Sequence, residues 1–130
     1  MIETSSVTFE QKDLLAELAR ATDAEIDSYG FGVIGFDTET VVRRYNAFES
    51  RMAGLSVSRV VGHPLVTIVA PCMNNFLVAQ RFEDSAAEGI ELDETIDYVL
   101  TLRMRPIRVK LRLLAGAASD MRYVLIQRPS

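Results

Sequence analysis

The chain contains one cysteine, Cys72, and one histidine, His63. A thiol attacks as its thiolate, and it needs a base, an orienting group and oxyanion donors to work as a hydrolytic nucleophile. His63 is the only imidazole on offer, and the run Val69-Ala70-Pro71-Cys72-Met73 carries no nucleophile signature of a thiol hydrolase. One imidazole and one thiol are also too few for a zinc site. Two uses remain for Cys72. It is a small buried hydrophobe, as free cysteines commonly are, or it is the point of covalent attachment for a ligand.

Tyr45 and Glu49 stand four residues apart at the start of a predicted helix, a spacing that puts both side chains on one helical face. At a surface such a pair is a solvated glutamate beside a tyrosine with a wet hydroxyl. If buried, the pair becomes two hydrogen-bond donors aimed at one anion, with Glu49 protonated because burial raises a carboxyl pKa. A neutral carboxyl in an apolar pocket is also a proton available for transfer. No P-loop or dinucleotide-type glycine signature is present. Met52, Met73 and Met104 read as packing residues.

The elements that must position these groups are legible from periodicity. Thr8 and Gln11 suit a capping box, and Leu14, Leu15 and Leu18 recur at helical spacing behind them. Phe31–Phe36 and Thr40–Tyr45 read as two short strands joined at Asp37-Thr38-Glu39, a turn without the usual glycine. Asn46 caps a short helix that Gly54 closes, and Ser56 to Val61 forms a further helical turn. Phe76, Ala79, Phe82 and Ala86 predict a longer helix over about 75–87. The last third alternates with period 2 through Ile96, Tyr98, Leu100, Leu102 and Met104, then through Ile107, Val109, Leu111 and Leu113, with a final strand over Met121–Gln127. Helix, two strands, a run of short helices, one longer helix and three strands make an α+β domain.

Size and composition set the outer bounds. A chain of 130 residues and 14.5 kDa suits one domain, which buries about two-thirds of its unfolded surface without needing disulfides or metal. A hydrophobic share of 48% with 25% charged residues excludes a disordered tail and a disulfide scaffold. No apolar run reaches the ~18 residues of a membrane helix, and the N-terminus lacks a secretory signal. A lone cysteine suits a reducing cytoplasm. The net charge of -4 argues against nucleic acid as a partner. That charge is unevenly spread, with nine acids in residues 1–40 and seven bases in residues 101–130. The basic stripe Arg108, Lys110, Arg112 is expected to lie under the acidic first helix.

Phe31-Gly32-x-Ile34, Tyr45-Asn46-Ala47-x-Glu49, Gly54, Val60-Val61-Gly62 and Val69-Ala70-Pro71-Cys72 closely resemble the photoactive yellow protein family of PAS-fold blue-light receptors. The resemblance runs from about Asp23 to Arg128. It implies a single PAS domain over 27–130 behind an N-terminal helical cap over 1–26, built on a central antiparallel sheet of about five strands with helices on one face. It further implies that Cys72 binds 4-hydroxycinnamic (p-coumaric) acid through a thioester, while Tyr45 and a protonated Glu49 hydrogen-bond the phenolate. Blue light would isomerise the trans double bond, and Glu49 would pass its proton to the phenolate. A buried carboxylate left unpaired costs on the order of 3–5 kcal/mol, which would push towards release of the N-terminal segment. Ala53, Leu55, Pro71, Leu100 and Met104 would line the pocket, and Met104 matches a methionine that assists thermal return.

The departures are specific. Ala53 stands where the family has a threonine supporting the tyrosine and glutamate, and Leu55 where it has an arginine over the phenolate. Arg51 or Arg103 is the expected substitute cation. Leu100 replaces an aromatic, in an alignment with one inserted residue around 90–95. The resemblance thus implies a non-enzymatic cytoplasmic photoreceptor, a monomer or weak homodimer, with an unidentified downstream signalling protein as partner. The alternative is a PAS interaction or dimerisation module that has lost the photochemistry, with Cys72 as a packing residue.

Overall fold

The computed structural model describes residues 7–65, 73, 75, 77–101, 106–116 and 120–129. Two short helices come first, α1 (Leu14–Arg20) and α2 (Asp23–Ile26), followed by strands β1 (Gly32–Phe36) and β2 (Val42–Tyr45). Helices α3 (Ala47–Ala53), α4 (Val57–Val60) and α5 (Ala79–Glu88) precede strands β3 (Leu92–Leu100), β4 (Ile107–Ala115) and β5 (Arg122–Gln127). The five strands form one sheet in the order β2-β1-β5-β4-β3, with every neighbouring pair antiparallel. None of the described helices is long and apolar enough to cross a membrane.

Alternation along β4 and β5 sorts side chains between the two faces of this sheet. Val109, Leu111, Leu113, Val124 and Ile126 join Val60, Val78 and Phe82 in one apolar cluster on the side of α3–α5. An edge-on contact between Phe36 and Phe82, with centroids 4.9 Å apart, ties α5 to the sheet. Leu114, Tyr123 and Leu125 face the opposite way and pack with Phe9, Leu14, Leu18 and Ile26 from the N-terminal segment. Each large apolar side chain buried in this way contributes roughly 1.5–3 kcal/mol.

The first helix differs from its expectation. At Thr8 and Gln11 there is only a backbone turn, and Asp13 enters α1 in the left-handed region at φ 58° without a side-chain cap. The capping box lies instead at Thr22 and Glu25, where Glu25 N–H donates to Thr22 Oγ1 and Thr22 N–H donates to Glu25 Oε1. Ala21 is extended, so the expected single helix is two. The glycine-free turn after β1 works through Asp37, whose Oδ1 accepts from the N–H groups of Glu39 and Val41 while Thr40 takes φ 63°.

Among the described residues, Arg112 is the member of the basic stripe that meets the N-terminal segment. It pairs with both oxygens of Asp93 and donates to the carbonyls of Phe9 and Gln11, at 2.9 and 2.7 Å. Arg108 is exposed, and Lys110 pairs with Asp97 at the surface. A second arginine that the stripe did not include does the rest: Arg44 donates to the carbonyls of Leu18 and Ala21, to Tyr123 Oη and to Asp23. The segment is gripped mainly through backbone carbonyls rather than through its many carboxylates.

Candidate functional site

The site begins at the junction of β2 and α3. Asn46 is fully buried and makes four hydrogen bonds, accepting from Val33 N–H and Glu49 N–H and donating to the carbonyls of Ile26 and Phe31. It caps α3, ties that helix to β1, and so fixes the direction of the first helical turn. Gly54 at φ 74° closes the helix, as its position predicts. The result is that Glu49 points into the molecule, at 0% exposure.

Gly32 is what makes room for it. A Cβ on Gly32 would stand 2.1 Å from Glu49 Oε1, closer than two non-bonded atoms approach. Tyr45 lies beside this carboxyl at 5% exposure, at the end of β2. Its phenol is pushed up from the ordinary tyrosine value, first by burial and then by the Glu49 charge, while Arg128 pulls the other way. Tyr45 is therefore a neutral O–H donor at physiological pH.

Arg128, just beyond β5, is the residue that sequence reasoning missed. Its two terminal nitrogens donate to the two oxygens of Glu49 at 2.7 and 2.9 Å, and its side chain is only 6% exposed. Burial raises the Glu49 carboxyl above its ordinary value and Arg128 draws it back, with burial the larger effect. Both oxygens accept from the guanidinium, which is the arrangement of an ionised carboxylate. In this structure Glu49 is paired with Arg128, while burial still holds its carboxyl above the ordinary value, the direction that favours the neutral form. A signal was available in the alternation of β5: Val124 and Ile126 face the helices, Ile126 sits opposite Gly32, and Arg128 is next on that face.

The other expected site residues fall as follows. Ala53 is buried at the end of α3, Leu55 is half-buried against the main core, and Leu100 is buried at the end of β3 in the same core cluster as Tyr45. Arg51 lies over the Phe48 ring, 5.8 Å from its centroid, so it is not the cation at Glu49. Cys72, Pro71, Met104 and Arg103 lie outside the described residues. An open groove of about 1070 Å³ has Arg128 in its lining; its described lining also includes Leu77, Tyr98, Val99 and Val109 but neither Tyr45 nor Glu49.

A curated relative from Rhodothalassium salexigens, named Photoactive yellow protein, is 30% identical over 122 residues, covering 94% of this chain and 97% of the relative. The chain belongs to the photoactive yellow protein family. The photoactive yellow protein domain of the sensor histidine kinase Ppr from Rhodospirillum centenum superposes with a TM-score of 0.79 at 33% identity, over 87% of this chain and 98% of that one. A PAS domain of an HTR-like protein from Haloarcula marismortui, at 13% identity and a TM-score of 0.63 over 89% of this chain and 95% of that one, shares the fold alone. No protein-family model matches the chain. The α+β PAS fold and the photoactive yellow protein family read from the motifs are therefore established.

Proposed function

We propose that this chain is a blue-light receptor that carries 4-hydroxycinnamic acid as a thioester on Cys72, with the phenol end of the group at Tyr45 and Glu49. The observation that carries this reading is a wholly buried carboxyl with a phenol and a guanidinium beside it, in a member of this family. A PAS core that served packing alone has little use for such a group, since apolar residues of similar volume in place of a buried ion pair are often as stable or more so.

The donor set suits an anionic oxygen. Tyr45 offers a neutral O–H, and Arg128 has N–H donors beyond the two that Glu49 takes. The glycine at position 32 lets the carboxyl sit against β1. Bound at Cys72, the cinnamoyl group supplies the double bond that light isomerises and the phenol oxygen whose protonation changes. Ala53 and Leu55 contribute apolar wall where relatives place a hydroxyl and a cation, so the polarity of that end falls to Tyr45, Glu49 and Arg128. A proton leaves Glu49 only from its neutral form, and the neutral form does not fill a bidentate pair with a guanidinium. Proton transfer from Glu49 therefore requires Arg128 to let go of it first. Structural change in the N-terminal segment is the signal, and a downstream signalling protein in the cytoplasm is its reader. The Rhodospirillum centenum relative, a domain of a sensor histidine kinase, supports a signalling rather than an enzymatic output. We propose a monomer or weak homodimer, with neither nucleic acid nor a membrane as partner.

The second reading is an interaction module without photochemistry, favoured by Ala53 and Leu55. One experiment separates the two. The purified chain is mixed with activated p-coumaric acid, with Cys72→Ala as control, and its absorption spectrum is recorded. A visible band that needs Cys72 and bleaches reversibly under blue light is the expected result. Absence of a band, with the thiol shown to be accessible, assigns the chain to the interaction module.

A further inference from the structure

Two phenols are buried where the N-terminal segment lies on the sheet, Tyr123 of β5 and Tyr29 just after α2, at 2% and 4% exposure. The Tyr123 oxygen accepts from Arg44 at 3.0 Å. The Tyr29 hydroxyl is wholly enclosed and has no hydrogen-bond partner among the described residues. Its ring packs in one apolar cluster with Phe9, Leu14, Leu18 and Phe31, with the Phe31 centroid 5.3 Å away. The charged groups that act on it are engaged elsewhere. Glu17 of α1 pairs with Arg20, and Glu25 of α2 accepts from Thr22 N–H. Arg44 of β2 donates to Asp23, to Tyr123 and to two carbonyls. Burial, then the charges of Glu17 and Glu25, push the phenol up from its ordinary value, so the buried group is a neutral O–H. A buried donor without an acceptor carries the full desolvation penalty, which vanishes once water reaches it. Phe9, Leu14 and Leu18 thus gain by staying down on the sheet, whereas the hydroxyl they help to cover gains by exposure. The covering element is also weakly built: α1 has seven residues, no side-chain cap, and an entry through Asp13 at φ 58°. Short helices of this kind open ahead of a sheet.

We propose that the Tyr29 hydroxyl is a weak point built into the closed N-terminal segment: unpartnered while the segment lies on the sheet and hydrated when it lifts, it tilts the balance towards release. Its use in light signalling rests on the function proposed above. The balance itself does not, and it is read without any chromophore.

The test is native-state hydrogen exchange and urea unfolding of the full chain at neutral pH, without added chromophore. Tyr29→Phe keeps the ring and removes the oxygen. Exchange of the α1 amides is expected to slow about fivefold (~1 kcal/mol), with the urea midpoint raised. Tyr123→Phe is the internal control from the same interface. It takes an acceptor from Arg44, so the α1 amides are expected to exchange faster and the midpoint to fall. Opposite signs for two identical chemical changes assign the effect to the missing partner. Slower α1 exchange in both variants would mean that a more apolar ring is enough, and would overturn the proposal. Unchanged or faster α1 exchange in Tyr29→Phe overturns it as well. So does a raised midpoint with α1 exchange unchanged, since the hydroxyl would then stay covered when the segment lifts. Failure to form a Cys72-dependent visible band would refute the photoreceptor reading and leave this result unaffected.

Discussion

Gly32→Ala tests the geometry of the site with a single methyl group. That carbon would lie 2.1 Å from Glu49 Oε1, 3.1 Å from its Cδ and 3.3 Å from its Cβ. On an exposed side chain the first of these contacts would be relieved by a rotation. Glu49 has no such exit, because it is fully buried and Arg128 holds both of its oxygens. The contact with Cβ means that α3 must also shift. Overpacking a filled core costs ~1–3 kcal/mol, and severing a buried ion pair ~3–5 kcal/mol. The second term governs, since Oε1 cannot move away from β1 without disturbing the pair. The expected loss is about 3 kcal/mol or more. Urea unfolding reads it directly: with a slope of ~1–3 kcal/mol per M, the midpoint falls by about 1–3 M. The same substitution is then made in Glu49→Ala/Arg128→Met, where both charges are gone and the carboxyl no longer occupies the space. There Gly32→Ala is expected to cost less than ~1 kcal/mol, the difference being the coupling of contacting residues. An equal cost in both backgrounds would refute the reasoning, because Glu49 would then not be what Gly32 accommodates.

Asn46→Ala removes four hydrogen bonds at one buried point and strands groups on β1, α2 and α3; a loss of about 3 kcal/mol or more is expected by thermal or urea unfolding. Arg112→Met keeps the aliphatic packing but frees the carbonyls of Phe9 and Gln11. Hydrogen exchange of α1 amides should accelerate well ahead of β4 and β5, since hydrogen bonds to charged groups contribute roughly 1.5–3 kcal/mol. The pH dependence of stability follows from Glu49, whose carboxyl is raised above 4.5 in the folded chain. Between that value and the folded one, the native state keeps a proton that the unfolded chain has released, so stability falls as pH rises through the window. Glu49→Gln should abolish this part of the slope, and Arg128→Gln should extend the window upward, both measured as melting temperature against pH.

The sequence carried most of the fold because its signals are local. Asn46 and Gly54 mark the two ends of α3, and the alternation of the last third marks β3 to β5, so the PAS order of elements could be read without contacts. Local signals also misled where two were equally good. Thr8 with Gln11 and Thr22 with Glu25 both suit a helix start, and only the extended backbone at Ala21 decides that the second is the capping box. That Tyr45 and Glu49 share one site was legible from the family motif; their spacing misled in detail, since Tyr45 ends β2 and does not lie on a face of α3. Arg128 was not read: the alternation of β5 puts it on the helix side of the sheet, but that local pattern does not name the acid it meets 79 residues away. It was counted only as one of many bases in a basic third of the chain. Cys72, the residue on which the proposed chemistry depends, lies outside the described residues, so its place is known from sequence alone.

Arg44 and Tyr45 are consecutive residues of β2, and consecutive residues of a strand project to opposite sides of its sheet. One therefore touches the acid site, while the other grips the carbonyls of Leu18 and Ala21 beyond the sheet. β2 is also an edge strand, bonded within the sheet along one side only. The backbone that sets Tyr45 at the acid site is thus the same backbone that anchors Arg44 against the N-terminal segment. A single peptide bond separates the residue at the acid site from the residue that holds the N-terminal segment.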